Sequence, residues 1–213
     1  MIDRVLFDWA PLAIATVVVA FLVDYVLTHL GARASQRIRE RWSVEGSYEM
    51  NPAWERQIDS GRWFSWRVPG VALLLAVLLG AMRILVAPEA FGVSLGFEPA
   101  IFAFAVGLIA LLQVPVLYAH ATNLQTFRDL ADPSAAEGGV RYRRWFVYRQ
   151  GAGHFVRFAV IWLLLWLPSQ QAFFLGGAAS CLAFGLRLYR LGVVARLKLG
   201  QPSEAPEAPG TIP

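Results

Sequence analysis

Asp24 lies inside Trp9–Leu30, a run of mostly apolar residues, and its position demands a chemical explanation. About 20 helical residues cross the hydrocarbon core of a bilayer, so the run is long enough to span one. A carboxylate at that depth costs about 3 kcal/mol or more unless something compensates it. Three assignments stay open. Pairing with Arg157 or His154 would make Asp24 a structural key that fixes helix register. A polar site would bind an ion, a proton or a lipid headgroup. A catalytic or metal site would recruit further Asp, Glu and His side chains, which suit divalent cations. No His-Glu-x-x-His pattern is present, so no metal is assigned, and no catalytic residue is named.

The residues that could share a site with Asp24 come from distant parts of the chain. Thr16, Ala20, Asp24 and Thr28 recur every four residues and predict a small, polar face turned into a bundle. Counted from the outer ends of their spans at about 1.5 Å per residue, Asp24, Gln113, His154 and Arg157 fall within roughly one helical turn in depth. Asp24, Thr28, Gln113, His154 and Arg157 are therefore the intramembrane polar candidates. His29 and His120 near the cytoplasmic face, with Glu49 and Asn51 in the loop just beneath, form a second set.

The elements that must position these residues are helices. Hydrophobic residues make up 57% of the 213-residue chain and charged residues 16%, well below the roughly 25% charged residues of soluble domains. Five spans are predicted: Trp9–Leu30, Val68–Ala87, Pro99–His120, Gly151–Leu167 and Gln171–Leu191. The fold class is an all-α, polytopic transmembrane bundle over residues 1–198. If the short fourth segment, interrupted by Arg157, enters without spanning, four spans remain. Pro168, Ser169 and Gln170 join the last two segments as a tight hairpin. The tail from 199 to 213 is rich in Pro, Glu, Ser and Ala and reads as disordered. No internal repeat supports an inverted-repeat transporter.

Basic residues set the expected orientation. Sixteen of the 19 Lys and Arg residues fall after span one, after span three, and at or beyond the end of span five. Only Arg4 lies on the other side. Cytoplasmic loops collect basic residues, so the N-terminus is expected outside, the C-terminus inside, in a bacterial cytoplasmic membrane. The N-terminal MIDRVLFDW lacks a basic n-region, so no cleavable signal is expected. The pI near 9.6 invites a nucleic-acid reading. The distribution of charge favours a membrane surface.

Both long loops fit that surface. Asn51-Pro52 is a helix start, with Asn as cap and Pro at the first helical position, and a short helix to about Ser60 should stop at Gly61. Trp42, Tyr48, Trp54, Trp63, Phe64 and Trp66 suit the headgroup zone. Val140–Arg149 mixes aromatics with Arg141, Arg143, Arg144 and Arg149. Single-stranded nucleic acid uses similar mixtures, but a short segment beside a span points to anionic lipid headgroups, at about 1 kcal/mol per basic residue.

Asp24-Tyr25-x-x-Thr28-x-x-Gly31, followed by Glu45-Gly46-Ser47-Tyr48-Glu49-Met50-Asn51-Pro52, resembles a group of uncharacterised small prokaryotic multi-pass membrane proteins. These carry an intramembrane Asp-x-x-x-Thr and then a Glu-x-Asn-Pro signature. The resemblance covers about 30 residues of the 213 and implies a class, not a reaction.

Other notable residues read as structural. Arg83 should snorkel or meet Glu89. Pro115 should kink the third span. Gly177, Cys181 and Gly185 form a small-residue stripe for close packing within the bundle, or for a homodimer. The leading functional expectation is a non-enzymatic membrane protein with a lipid- or partner-binding cytoplasmic face and no cofactor. A transporter using Asp24, Gln113 and His154, and a lipid-acting enzyme needing Asp24, Glu49, His120 and His154 together, are the alternatives. No phosphate loop or dinucleotide fingerprint is present.

Overall fold

The computed structural model describes residues 1–45, 48, 51–87, 96–132, 134–135 and 138–199, with the side chains of Pro52, Ala53 and Leu199 outside the description. Glu49, Glu89 and nearly all of the tail predicted to be disordered lie outside the described residues. The described elements are α1 (Ile2–Asp8), α2 (Ala10–Arg37), β1 (Trp42–Val44), α3 (Pro52–Asp59), α4 (Arg67–Leu85), α5 (Glu98–Ala131), β2 (Val140–Tyr142), α6 (Arg144–Ser169) and α7 (Ala172–Leu199). Five of them, α2, α4, α5, α6 and α7, are long and apolar enough to cross a membrane.

The fourth span is among them. Residues 151–167 are the centre of a 26-residue helix that begins at Arg144. Its Arg157 lies on the exposed side. Pro168 sits in the last turn, so the bond it removes and the kink it causes fall at the end of the helix. The chain reverses at Gln170, whose φ of 52° is the left-handed turn that ends a helix. The Ser169 hydroxyl donates to the Leu165 carbonyl at 2.6 Å.

Packing follows from where the small residues fall. A side chain at Gly107 of α5 would run into the Phe173 carbonyl, and one at Gly176 of α7 into the Phe104 carbonyl. The α5 and α7 backbones therefore touch. Further along α7, Gly185 packs on Ala152 and Val156 of α6, and Cys181 is fully buried beside Phe155 and Ala159. The stripe is used inside the bundle. A second cluster, Phe7, Val17, Leu79, Phe102 and Val106, joins α1, α2, α4 and α5.

The inward face of α2 differs from the four-residue reading. Ala13 and Val17 are buried and Thr16 is exposed, its hydroxyl returning to the Leu12 carbonyl at 2.9 Å. At 3.6 residues per turn, steps of four drift by about 40° each, so Thr16 and Thr28 cannot share a face. The polar face exists only from Asp24 onward.

Two features tie the chain together at opposite ends of the bundle. At one end α1, which sequence patterning did not reveal, lies over the helix ends. The Asp3 carboxylate accepts from Ala172 N at 2.8 Å and Phe173 N at 3.2 Å, capping α7 from 169 residues away. Arg83 donates to the Phe7 carbonyl at 3.1 Å and stacks on the Phe7 ring at 3.5 Å. At the other end β1 and β2 pair in parallel, Trp42 opposite Val140, and join the two long loops. Arg41 donates to the Leu130 and Asp132 carbonyls at the end of α5. The Asp132 carboxylate accepts from the Ser134 amide and hydroxyl, which holds its pKa below the usual carboxylate range.

Gly107→Ala and Gly176→Ala should each cost about 1–3 kcal/mol, because a backbone carbonyl cannot yield as a side chain can. Gly153→Ala, which meets nothing within 4 Å, should be neutral or stabilising by up to about 1 kcal/mol. Thermal midpoints in one detergent give the comparison; equal midpoints for all three would contradict the α5–α7 contact. Asp3→Ala should cost about 0.5–2 kcal/mol as a lost cap and speed hydrogen exchange at the Ala172 and Phe173 amides, with the other spans unaffected.

Candidate functional site

Asp24 meets His120, and neither Arg157 nor His154. His120 Nε2 is 3.0 Å from Asp24 Oδ1 and 3.0 Å from Thr28 Oγ1. Thr28 donates its own hydroxyl hydrogen to the Asp24 carbonyl at 2.9 Å. Thr28 Oγ1 and His120 Nε2 share a hydrogen bond whose donor follows the tautomer of the ring. Asp24 Oδ1, equally near Nε2, is buried without a hydrogen bond. The imidazole therefore orders the carboxylate's surroundings without satisfying it.

His154 is occupied elsewhere. Its Nε2 donates to the Pro115 carbonyl at 3.1 Å, and its ring stacks on Tyr118 at 5.8 Å and meets Phe158 edge-on at 5.1 Å. Similar depth brought His154 into the expected set, but it contacts a different side of α5 from His120. Arg157 has no ion pair among the described residues. His29 is 1% exposed and sealed between Tyr25, edge-on at 4.7 Å, and Trp63, stacked at 5.0 Å. It holds the loop to α2 instead of facing a site.

The Asp24–His120 contact borders a cavity of about 420 Å³ between α2, α5, α6, α7 and the first loop. One face of α5 supplies Gln113, Val116, His120 and Asn123, at the alternating three- and four-residue spacing of a helical stripe. Gln113 Oε1 and His120 Nδ1 are also buried without hydrogen-bond partners. The loop wall carries Trp42, Tyr48, Asn51 and Trp54. Asn51 opens α3 as expected, its carbonyl accepting from Trp54 N at 2.9 Å and Glu55 N at 3.2 Å. Gly61, with φ of 65°, follows the end of that helix. Tyr25 donates to the Trp63 carbonyl at 2.7 Å and accepts from Gln57 at 2.5 Å. Tyr48 reaches α2 at Gly31, where any side chain would strike its ring.

The four arginines expected at headgroups divide. Arg144 makes two bonds of 3.2 Å to Glu55 and one of 3.0 Å to Tyr148, and lines the cavity. Arg143 pairs with Glu45 at 3.3 Å. Arg141 and Arg149 are exposed. The contributions of Tyr25, Asn123 and Arg187 went unread in the sequence. Asn123 was legible from its spacing to His120; Arg187 looked like one of a basic group near the end of span five.

No protein-family model, curated protein or solved structure matches the chain. Five helices long and apolar enough to cross a membrane, four of them bordering the cavity, make this a polytopic helical membrane protein. Among the described residues no group of three or more His, Cys, Asp and Glu is placed to hold a metal ion.

A double-mutant cycle of Asp24→Asn and His120→Gln should return a coupling of about 0.5–3 kcal/mol, as for contacting polar residues. Thr28→Val alone should cost about 1 kcal/mol by removing the hydroxyl that bonds His120. Reversible unfolding in mixed micelles measures both, and additive single mutants would rule out the pairing.

Proposed function

We propose that the protein is a non-enzymatic integral membrane protein that binds an amphiphile in the cavity at the loop end of its bundle. The observation that carries this reading is the composition of that cavity. Aromatic and aliphatic walls surround three buried polar atoms, on Asp24, Gln113 and His120, that lack partners. Binding sites of roughly 300–1,000 Å³ with mostly apolar walls and a few convergent polar groups are typical for small ligands. The exposed Arg141 and Arg149 and the exposed Trp66 support a loop face lying against anionic headgroups. The arginine bias supports a bacterial cytoplasmic membrane with the N-terminus outside and the loop face inside. Asp24, Thr28 and Asn51 all line the cavity, which supports reading the Asp-x-x-x-Thr and Glu-x-Asn-Pro signature as one shared site.

The Asp24–His120 contact favours a second reading, a proton- or cation-linked transporter. His154 lies off the cavity, which leaves that pathway without its third residue. An enzyme at the same face would have Asp24 and His120 but not His154.

Native mass spectrometry from nanodiscs tests the leading reading. The wild type should retain a lipid, and Ala119→Phe, which fills the cavity without changing charge, should retain about tenfold less, the loss expected for about 1.4 kcal/mol of displaced contacts. Equal retention by both would place the lipid elsewhere and end the proposal. Cation flux into proteoliposomes that stops in Asp24→Asn would favour the transporter.

A further inference from the structure

The cavity's polar groups specify what kind of amphiphile fits, an inference that rests on the cavity being a binding site. Asp24 Oδ1 and Gln113 Oε1 are acceptors, buried and unbonded. His120 Nδ1 is a third buried polar atom without a bond, its role set by the tautomer of the ring. Two unbonded acceptors, one of them on a carboxylate inside a span, describe a place for a donor that carries positive charge. An occupant that supplies donors there would satisfy both acceptors. A primary ammonium brings three donors and one charge. The rings of Tyr25 and Trp54 on the same walls add cation–π attraction.

The same cavity holds an opposite feature. Arg187 of α7 lines it and has no ion pair among the described residues, its guanidinium resting 5.9 Å from the Phe184 ring. The other cavity arginine, Arg144, is neutralised by Glu55. The Asp24 carboxylate and the exposed Arg187 guanidinium in a single cavity complement a zwitterion with an ammonium at one end and a phosphate at the other. Leu112, Leu188 and Leu191 continue the lining as apolar surface on the spanning helices, where acyl chains would follow.

We propose that the cavity takes the headgroup of an aminophospholipid, its primary ammonium at Asp24 and Gln113 and its phosphate at Arg187. Quaternary ammonium lipids have the charge but no N–H donors, and glycerol headgroups have hydroxyl donors but no charge. Both should bind less well for those separate reasons.

The test uses the whole chain in nanodiscs holding equal parts of phosphatidylethanolamine, phosphatidylcholine and phosphatidylglycerol with the same acyl chains, read by native mass spectrometry. The wild type should retain phosphatidylethanolamine about tenfold over each of the others, the scale of one charge-assisted hydrogen bond. Asp24→Asn should bring the ethanolamine-to-choline ratio near one. Gln113→Leu should lower that ratio without changing charge, so the inference stays testable where Asp24→Asn fails to fold. Arg187→Gln should reduce retention of all three lipids and leave the ratio intact. Equal retention of the three lipids by the wild type would overturn the ammonium assignment while leaving a lipid site in place. No lipid retained by the wild type from any composition would overturn the binding reading as well. Displacement of the lipid by millimolar glycerophosphoethanolamine would assign the site to a soluble amine and overturn its membrane source.

Discussion

An ionisable carboxylate in an apolar span must be met from neighbouring helices, and the arrangement of the bundle follows from how this is done around Asp24. Its own helix does not supply the partner: Thr28, one turn on, bonds the Asp24 carbonyl and not the carboxylate. The approach comes from α5 through His120, which fixes the rotation of α5 against α2 at that level. Above it the contact between the two helices is apolar, through Val17, Phe102 and Val106. Rotation of α5 in turn determines which glycines meet α7, so the polar contact and the close backbone crossing at Gly107 and Gly176 are parts of one register.

The loops complete the site that the spans begin. Paired strands and the Arg41 bonds to the end of α5 hold the two loops as one layer. Tyr25 and His29 bind the part of that layer around Trp63 to α2. The Glu55–Arg144 pair links α3 to the start of α6. The loop wall of the cavity is thereby anchored to three spanning helices, and a ligand entering it meets a built surface.

Much of the architecture was legible in the sequence because it depends on local signals. Length and apolar runs gave five spans, Asn51-Pro52 and Gly61 bracketed α3, and the glycines of α7 marked a close contact. What was not legible depends on azimuth and on distant partners. Depth along a helix placed His154 and Arg157 near Asp24, but depth says nothing of which way a side chain faces. His120 was placed at the end of a span, and its depth there did not show that its ring faces Asp24. The parallel strands were hidden because three residues of alternating chain carry too little pattern. Helix α1 was hidden because seven residues carry little periodicity and its stabilising partner lies on the last helix.

That last bond has a consequence for how the protein is made. Asp3 caps amides synthesised 169 residues later, and chain growth runs at about 5–20 residues per second, so the cap waits for roughly 10–30 s. During that interval α1 lacks its partner on α7, and its apolar side, Phe7 among it, rests on α2, α4 and α5 without that bond. Closure of the bundle at that face is therefore an event of late assembly: the first helix of the chain locks only when the final hairpin is inserted, and an interrupted chain is left open at its beginning.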